Sequence, residues 1–204
     1  MSKLVISLAI LLGLMISAPA VKAATLWSED FSNVSDWGIV YDPGSGSTLT
    51  ASGGLGALYV DKGSNQAAFA PNQADANFIP FDRTNSSEYS LNFIVDHLTW
   101  STSYDIAMDE FNSSKAWVGT IWQVYPVQYT STDTGSHSRN LGDLTWDSNV
   151  AYLIPKVNVH TGDPAQTVYF DNMSMDQNPI PEPASLLLLG SGLVGLLGVS
   201  RKKK

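Results

Sequence analysis

Tyr89-Ser90-Leu91-Asn92-Phe93-Ile94-Val95-Asp96 is the stretch that decides the fold. Tyr89, Leu91, Phe93 and Val95 occupy every second position. Side chains of an extended chain point alternately to opposite faces, so these four line one face of a strand. A helix would scatter them around its axis. One apolar face calls for a second layer to cover it, and the rest of the chain supplies more extended segments rather than helices.

Ala116 to Val127 (AWVGTIWQVYPV) is β-branched and aromatic, as strands prefer. Tyr152 to Val159 (YLIPKVNV) reads as another strand, with Pro155 predicting an edge or a bulge because proline cannot donate to a ladder. Thr167 to Met175 (TVYFDNMSM) closes the series, and Thr25 to Phe31, Leu55 to Val60 and Asn77 to Phe81 are shorter candidates. Asp42-Pro43-Gly44, Ser52-Gly53-Gly54 and Thr161-Gly162-Asp163-Pro164 punctuate them as turns, and the Gly/Ser-rich stretch Pro43 to Gly56 reads as a loop. No amphipathic helical run and no internal repeat interrupts this pattern. The expected fold is all-β, a single β-sandwich over residues 24–178.

The two ends follow a different logic. Lys3, the apolar run Leu4 to Ile16 and the small-residue site Val21-Lys22-Ala23 form the order of a secretory signal peptide, residues 1–23. The chain has no cysteine, so the exported domain relies on its core rather than on disulfides. Six of its eleven Lys and Arg lie in the two terminal segments. Ala24 to Pro179 keeps five basic and eighteen acidic residues, a net charge of −13. Such a surface repels nucleic acid and anionic lipid, and suits neutral glycans and divalent cations.

Residues 179–204 carry Pro181-Glu182-Pro183, the uncharged run Ala184 to Val199, and the basic tail Arg201, Lys202, Lys203 and Lys204. Sixteen residues of helix extend about 24 Å, a marginal transmembrane span, and the basic side chains can snorkel to hold it. The prolines keep the backbone around Glu182 extended and non-helical. These three parts, in this order, resemble the PEP-CTERM sorting signal of Gram-negative bacteria. The resemblance implies recognition by exosortase, a membrane-embedded transpeptidase that cuts near Pro-Glu-Pro. The inner membrane would hold the precursor in transit, before release to a cell surface or an extracellular, polysaccharide-rich biofilm matrix.

A second resemblance concerns the domain between the signals. Leu26-Trp27-Ser28-Glu29-Asp30-Phe31 and Thr167-Val168-Tyr169-Phe170-Asp171-Asn172 resemble the first and last strands of carbohydrate-binding jelly-roll modules. That architecture places the two strands side by side. It implies a structural Ca²⁺ held by Glu29, Asp30 and Asp171, a set of hard oxygen ligands. Tryptophan supplies sugar-stacking platforms at low entropic cost, and Trp100, Trp122 and Trp146 are the candidates among six.

Catalytic motifs are missing by comparison. His97, His137 and His160 are not in a zinc spacing, and Gly44-Ser45-Gly46-Ser47 is not a nucleophile elbow. Tyr104 to Glu110 puts Asp105, Ala107 and Asp109 on one strand face, a loose resemblance to the acids of sandwich-fold β-glucanases that lacks their E-x-D-x-x-E spacing. These acids are expected to be solvated. The expectation is a non-catalytic, exported glycan-binding or structural domain. The alternative is a secreted glycan-active hydrolase of sandwich fold.

Overall fold

The computed structural model describes residues 23–61, 64, 66–99, 103–128, 134–160 and 165–178. Both terminal apolar segments, Pro181-Glu182-Pro183, the basic tail and Trp100 lie outside the described residues.

Twelve strands are described: β1 (Ala24–Glu29), β2 (Trp37–Tyr41), β3 (Thr48–Ser52), β4 (Leu55–Val60), β5 (Gln66–Pro71), β6 (Ile79–Pro80), β7 (Tyr89–Leu98), β8 (Ser103–Phe111), β9 (Trp117–Gln128), β10 (Gly135–Asn140), β11 (Tyr152–His160) and β12 (Gln166–Gln177). They form two antiparallel sheets. Sheet A runs β10-β7-β12-β4-β3, with β1 also paired to β12. Sheet B runs β2-β5-β11-β8-β9, with β6 also paired to β11. The predicted all-β sandwich is the observed fold, and the first and last strands do lie side by side, Ala24 opposite Gln177.

The inner faces meet in one apolar core. Leu91, Phe93 and Val95 of β7 are buried, as their alternation predicts, and Tyr89 joins them. From sheet B come Tyr104, Ile106 and Met108 of β8 and Leu153, Val157 and Val159 of β11. Phe93 spans the layers, edge-on to Tyr104 at 6.4 Å and tilted against Phe170 at 6.1 Å. Each such aromatic or branched side chain removed from water contributes about 1.5–3 kcal/mol.

Strand β12 shows how the sequence keeps its apolar residues inside. Val168 and Phe170 are buried, and so are Met173 and Met175, which are out of phase with the first pair. The pairing with β7 shifts between Phe170 and Asn172, leaving Asp171 as the extra residue of a bulge. On its other flank β12 pairs with β4 up to Phe170 and with β1 from Met173. The Asp-Asn step falls in the gap between those partners. Just after β1, Phe31 adopts a positive φ of 55° and is fully buried. Its ring lies so close over Gly56 that a Cβ there would come within 2.5 Å of it.

Four expectations need correction. Pro43 to Gly56 is not all loop, because Thr48–Ser52 forms β3 against β4. Asn77 to Phe81 is mostly a 3₁₀ turn, Asp75–Asn77, followed by the two-residue β6. Pro155 does not mark an edge. It sits in the second sheet's central strand, opposite Met108 of β8, between the stretches where β11 pairs with β6 and with β5. A missing N–H is tolerated where the ladder has that gap. The acids of β8 are not all solvated: Asp105 and Glu110 are buried.

Glu110 is the exception to the inner face's apolar pattern. Its Oε1 accepts from the backbone N–H of Asp147 at 2.7 Å, and its Oε2 lies against Gly119, where a Cβ would meet it at 2.9 Å. Burial pushes the Glu110 carboxyl above the ordinary glutamate value, only partly offset by the Asp147 N–H. A raised carboxyl holds its proton in the folded state after the unfolded chain has lost it. Its stability contribution is therefore complete below the ordinary value of 4.5 and declines as pH rises through the folded value. Glu110→Gln, which keeps an acceptor for Asp147, is expected to melt higher than the wild type near neutral pH. Thermal melts across a pH series should show that gap closing as pH falls below the ordinary glutamate range.

Candidate functional site: a tryptophan-walled cleft on sheet B

The central strands of sheet B are buried on both faces along nearly their whole length, yet their outer face is largely polar. On β8 this face carries Asp105, Ala107 and Asp109. On β11 it carries Lys156, Asn158 and His160, the alternate positions to Leu153, Val157 and Val159. Register puts Asn158 opposite Asp105 and Lys156 opposite Ala107. Buried polar groups demand partners, and here they find one another. Asn158 Nδ2 donates to Asp105 Oδ1 at 2.7 Å, and His160 Nε2 meets Asp105 Oδ2 at 2.6 Å. Lys156 Nζ and Thr120 Oγ1 both donate to Asp109 Oδ1 at 2.6 Å.

The two edge strands raise walls on either side of this floor. Val40 and Tyr41 of β2 stand on one side, and Trp117, Thr120 and Trp122 of β9 on the other. Gln66 and Ala68 of β5 complete the lining of a cleft of about 500 Å³. Trp117 is 62% exposed and Trp122 is 61% exposed, the largest exposures among the big apolar side chains described. Isolated exposed apolar residues are ordinary, but two indoles and a half-exposed Tyr41 around one cleft are not. The Lys156 ammonium sits 4.7 Å from the Trp122 ring centre, a cation–π contact that steadies one face of that indole.

The irregular pairing of β9 turns Trp117 outward, whereas Trp122 shares the outer face with Thr120 by ordinary alternation. Met108 pairs with Ile121 and Ile106 with Tyr125, so two steps on β8 face four on β9. Trp122 lies inside that excess, beside Gln123, which takes a positive φ of 57°. A second shift separates the Glu110–Gly119 and Phe111–Trp117 pairs. Bulges re-aim side chains, and a non-glycine residue held in the left-handed region is a cost that functional sites commonly carry.

Of the tryptophans singled out from sequence, Trp122 lies on the cleft. Trp146 lies elsewhere, packed on Phe81 at 4.6 Å with its Nε1–H donating to the Leu141 carbonyl at 3.2 Å. That is a packing role, and its ring is not part of this wall. Trp117 escaped the sequence reading. Trp27 and Trp37 are core.

The three calcium candidates are placed at the β1–β12 seam but are otherwise engaged or apart. Glu29 accepts from the Phe31 N–H at 2.8 Å and from Trp37 Nε1–H at 3.0 Å. Asp30 accepts from the Ser32 N–H, which holds its carboxyl below the usual range. Asp171 is the bulged residue of β12. Among the described residues no three His, Asp or Glu side chains gather as a metal site.

The fold is of one class, a jelly-roll-like β-sandwich, an architecture also found in carbohydrate-binding modules. The CBM22-1 xylan-binding domain of Paenibacillus barcinonensis Xyn10C is similar over 79% of this chain and 99% of its own, at 9% identity and a TM-score of 0.50. The low affinity xylan binding module CBM86 of Roseburia intestinalis is similar over 77% of this chain and 95% of its own, at 12% identity and a TM-score of 0.41. PfGH50B matches over 80% of this chain at 11% identity and a TM-score of 0.45, and the chain spans only 25% of it. At these identities the likeness concerns the fold alone. No curated protein matches the chain. Residues 179–202 match the family described as the PEP-CTERM protein-sorting motif. The chain thus carries a PEP-CTERM sorting signal behind its sandwich domain, which marks it as exported.

Proposed function

We propose that this protein is a non-catalytic glycan-binding module delivered to the cell envelope or extracellular matrix of a Gram-negative bacterium. The exported precursor is held in the inner membrane by its C-terminal segment until an exosortase cuts near Pro181-Glu182-Pro183. The sandwich then binds polysaccharide along the cleft on sheet B. The observation that carries this reading is the pair of exposed indoles, Trp117 and Trp122, that β9 sets beside a polar floor. Flat aromatic rings cover the C–H faces of sugars, and the floor meets their hydroxyls.

The chemistry favours binding over hydrolysis. Retaining glycosidases hold two carboxyl groups about 5–5.5 Å apart and inverting ones about 6.5–9.5 Å. Asp105 and Asp109 are four residues apart on one strand, a rise of about 13 Å. Each is also tied to a neighbouring donor rather than free to act as acid or base. The test is retention of the protein in gels containing neutral polysaccharides, with product analysis of the same polymers after long incubation. Retention without cleavage is the expected result. Released oligosaccharides would overturn the non-catalytic reading, and free migration through every neutral polymer would overturn glycan binding.

A further inference from the structure

Asn158 stands apart from the other floor residues because its hydrogen bonding is incomplete. It is 1% exposed, yet it lines the cleft. Its Nδ2 donates to Asp105 Oδ1 at 2.7 Å. A carboxylate only accepts, so this contact fixes which end of the amide is nitrogen. A turned-over amide would set its oxygen against the Asp105 carboxylate, whose other oxygen is held by His160 at 2.6 Å. Asn158 Oδ1 is therefore an acceptor of fixed direction, and it is buried without a hydrogen-bond partner among the described residues. An unmet buried acceptor is unfavourable and is normally completed by something.

The charges on this face narrow what that something is. Lys156 is already paired with Asp109, and His160 with Asp105. Neither basic side chain is left over for an acidic sugar, and both carboxylates oppose one.

We propose that Asn158 is a specificity-determining residue of the cleft. Its amide oxygen accepts a hydrogen bond from a hydroxyl of an uncharged glycan. The cleft then takes neutral chains that present an unsubstituted hydroxyl to the floor, and it rejects chains carrying an ether or a carboxylate there. Asp105 and His160 are positioning residues that hold the amide in this orientation. The inference rests on the glycan-binding reading of the cleft.

The experiment compares one polysaccharide in three forms by affinity electrophoresis: neutral xylan, galactan or β-glucan, whichever retains the wild type most, with its O-methylated and its carboxyl-oxidised derivatives. A site built around a hydrogen bond rejects a ligand that cannot make it, so retention by either derivative should fall by at least about tenfold. In Asn158→Thr the hydroxyl can take over the donation to Asp105, while the amide oxygen proposed to accept from the glycan is removed. The neutral-to-methylated ratio should collapse toward unity in that variant. Trp122→Ala should weaken retention by both forms and leave the ratio in place. Wild-type protein held equally by the methylated or the oxidised polymer overturns the inference, with no variant needed. A folded Asn158→Thr protein that keeps the wild-type ratio also overturns it while glycan binding stands. Failure of every neutral polymer to retain the wild type instead removes the glycan reading, and this inference with it.

Discussion

Protein recovered from the surface or surroundings of its native host is expected to lack the Ala184–Lys204 tail. The change should approach completeness in the released form, because processing is the step that frees the chain from the membrane. The motif match over residues 179–202 motivates this, together with the physical character of the segment. The sequence predicts an extended, accessible chain around Glu182 between its two prolines, and a marginal span behind it with Arg201 to Lys204 as its basic flank. Intact-mass measurement on the native protein checks the prediction. Replacing Pro181 and Pro183 together by alanine removes the barrier to helix and should leave the precursor membrane-held. Recovery of the surface form with its full tail would instead make the segment a plain anchor.

The second large effect concerns Trp117 and Trp122. Replacing either by alanine should lower polysaccharide affinity by about 30-fold, the scale of a binding hot spot of about 2 kcal/mol. Replacing both should abolish retention. Because both rings are mostly exposed, the melting temperature should hardly move. Trp146→Ala is the informative contrast: it loses its packing on Phe81, so it should melt early while any folded fraction keeps its retention. Melting of the Trp117 and Trp122 variants well below the wild type would make these residues structural. Unchanged retention in the double variant would move any glycan site off this cleft.

Strand period was legible wherever one face meets the core without interruption. Tyr89 to Asp96 is the clearest case, and Leu55 to Val60 was bounded by its own turns. Legibility failed where pairing, rather than side-chain pattern, makes the strand. Strand β10 (GSHSRN) has no apolar residue and is extended because β7 offers it an open edge. The alanines of β5 gave too weak a signal to register, and β3 lay hidden among glycine and serine. The cleft was half visible. Asp105 and Asp109 stood out, while Lys156, Asn158 and His160 alternate through β11 and could have been found by the same period-two count that read β7. Trp117 could not, since the β9 bulges break the count that would say which indoles face out. Which tryptophan is core and which is platform is decided by register, and register is a property of two strands.

The pairing of β12 has a mechanical consequence. Its twelve residues are bonded to β7 along nearly their whole length, and to β4 and then β1 on the other flank. The sorting segment follows β12 directly in the sequence, so a pull along the strand axis from that end would load β12 first. Antiparallel hydrogen bonds lie across the strand direction, and a lengthwise pull shears many of them together instead of peeling them one by one. β1 begins beside the same end, with Ala24 opposite Gln177, so traction there also meets the neighbouring strand. The described domain thus ends in a strand paired on both flanks in sheet A, while the cleft lies on the outer face of sheet B.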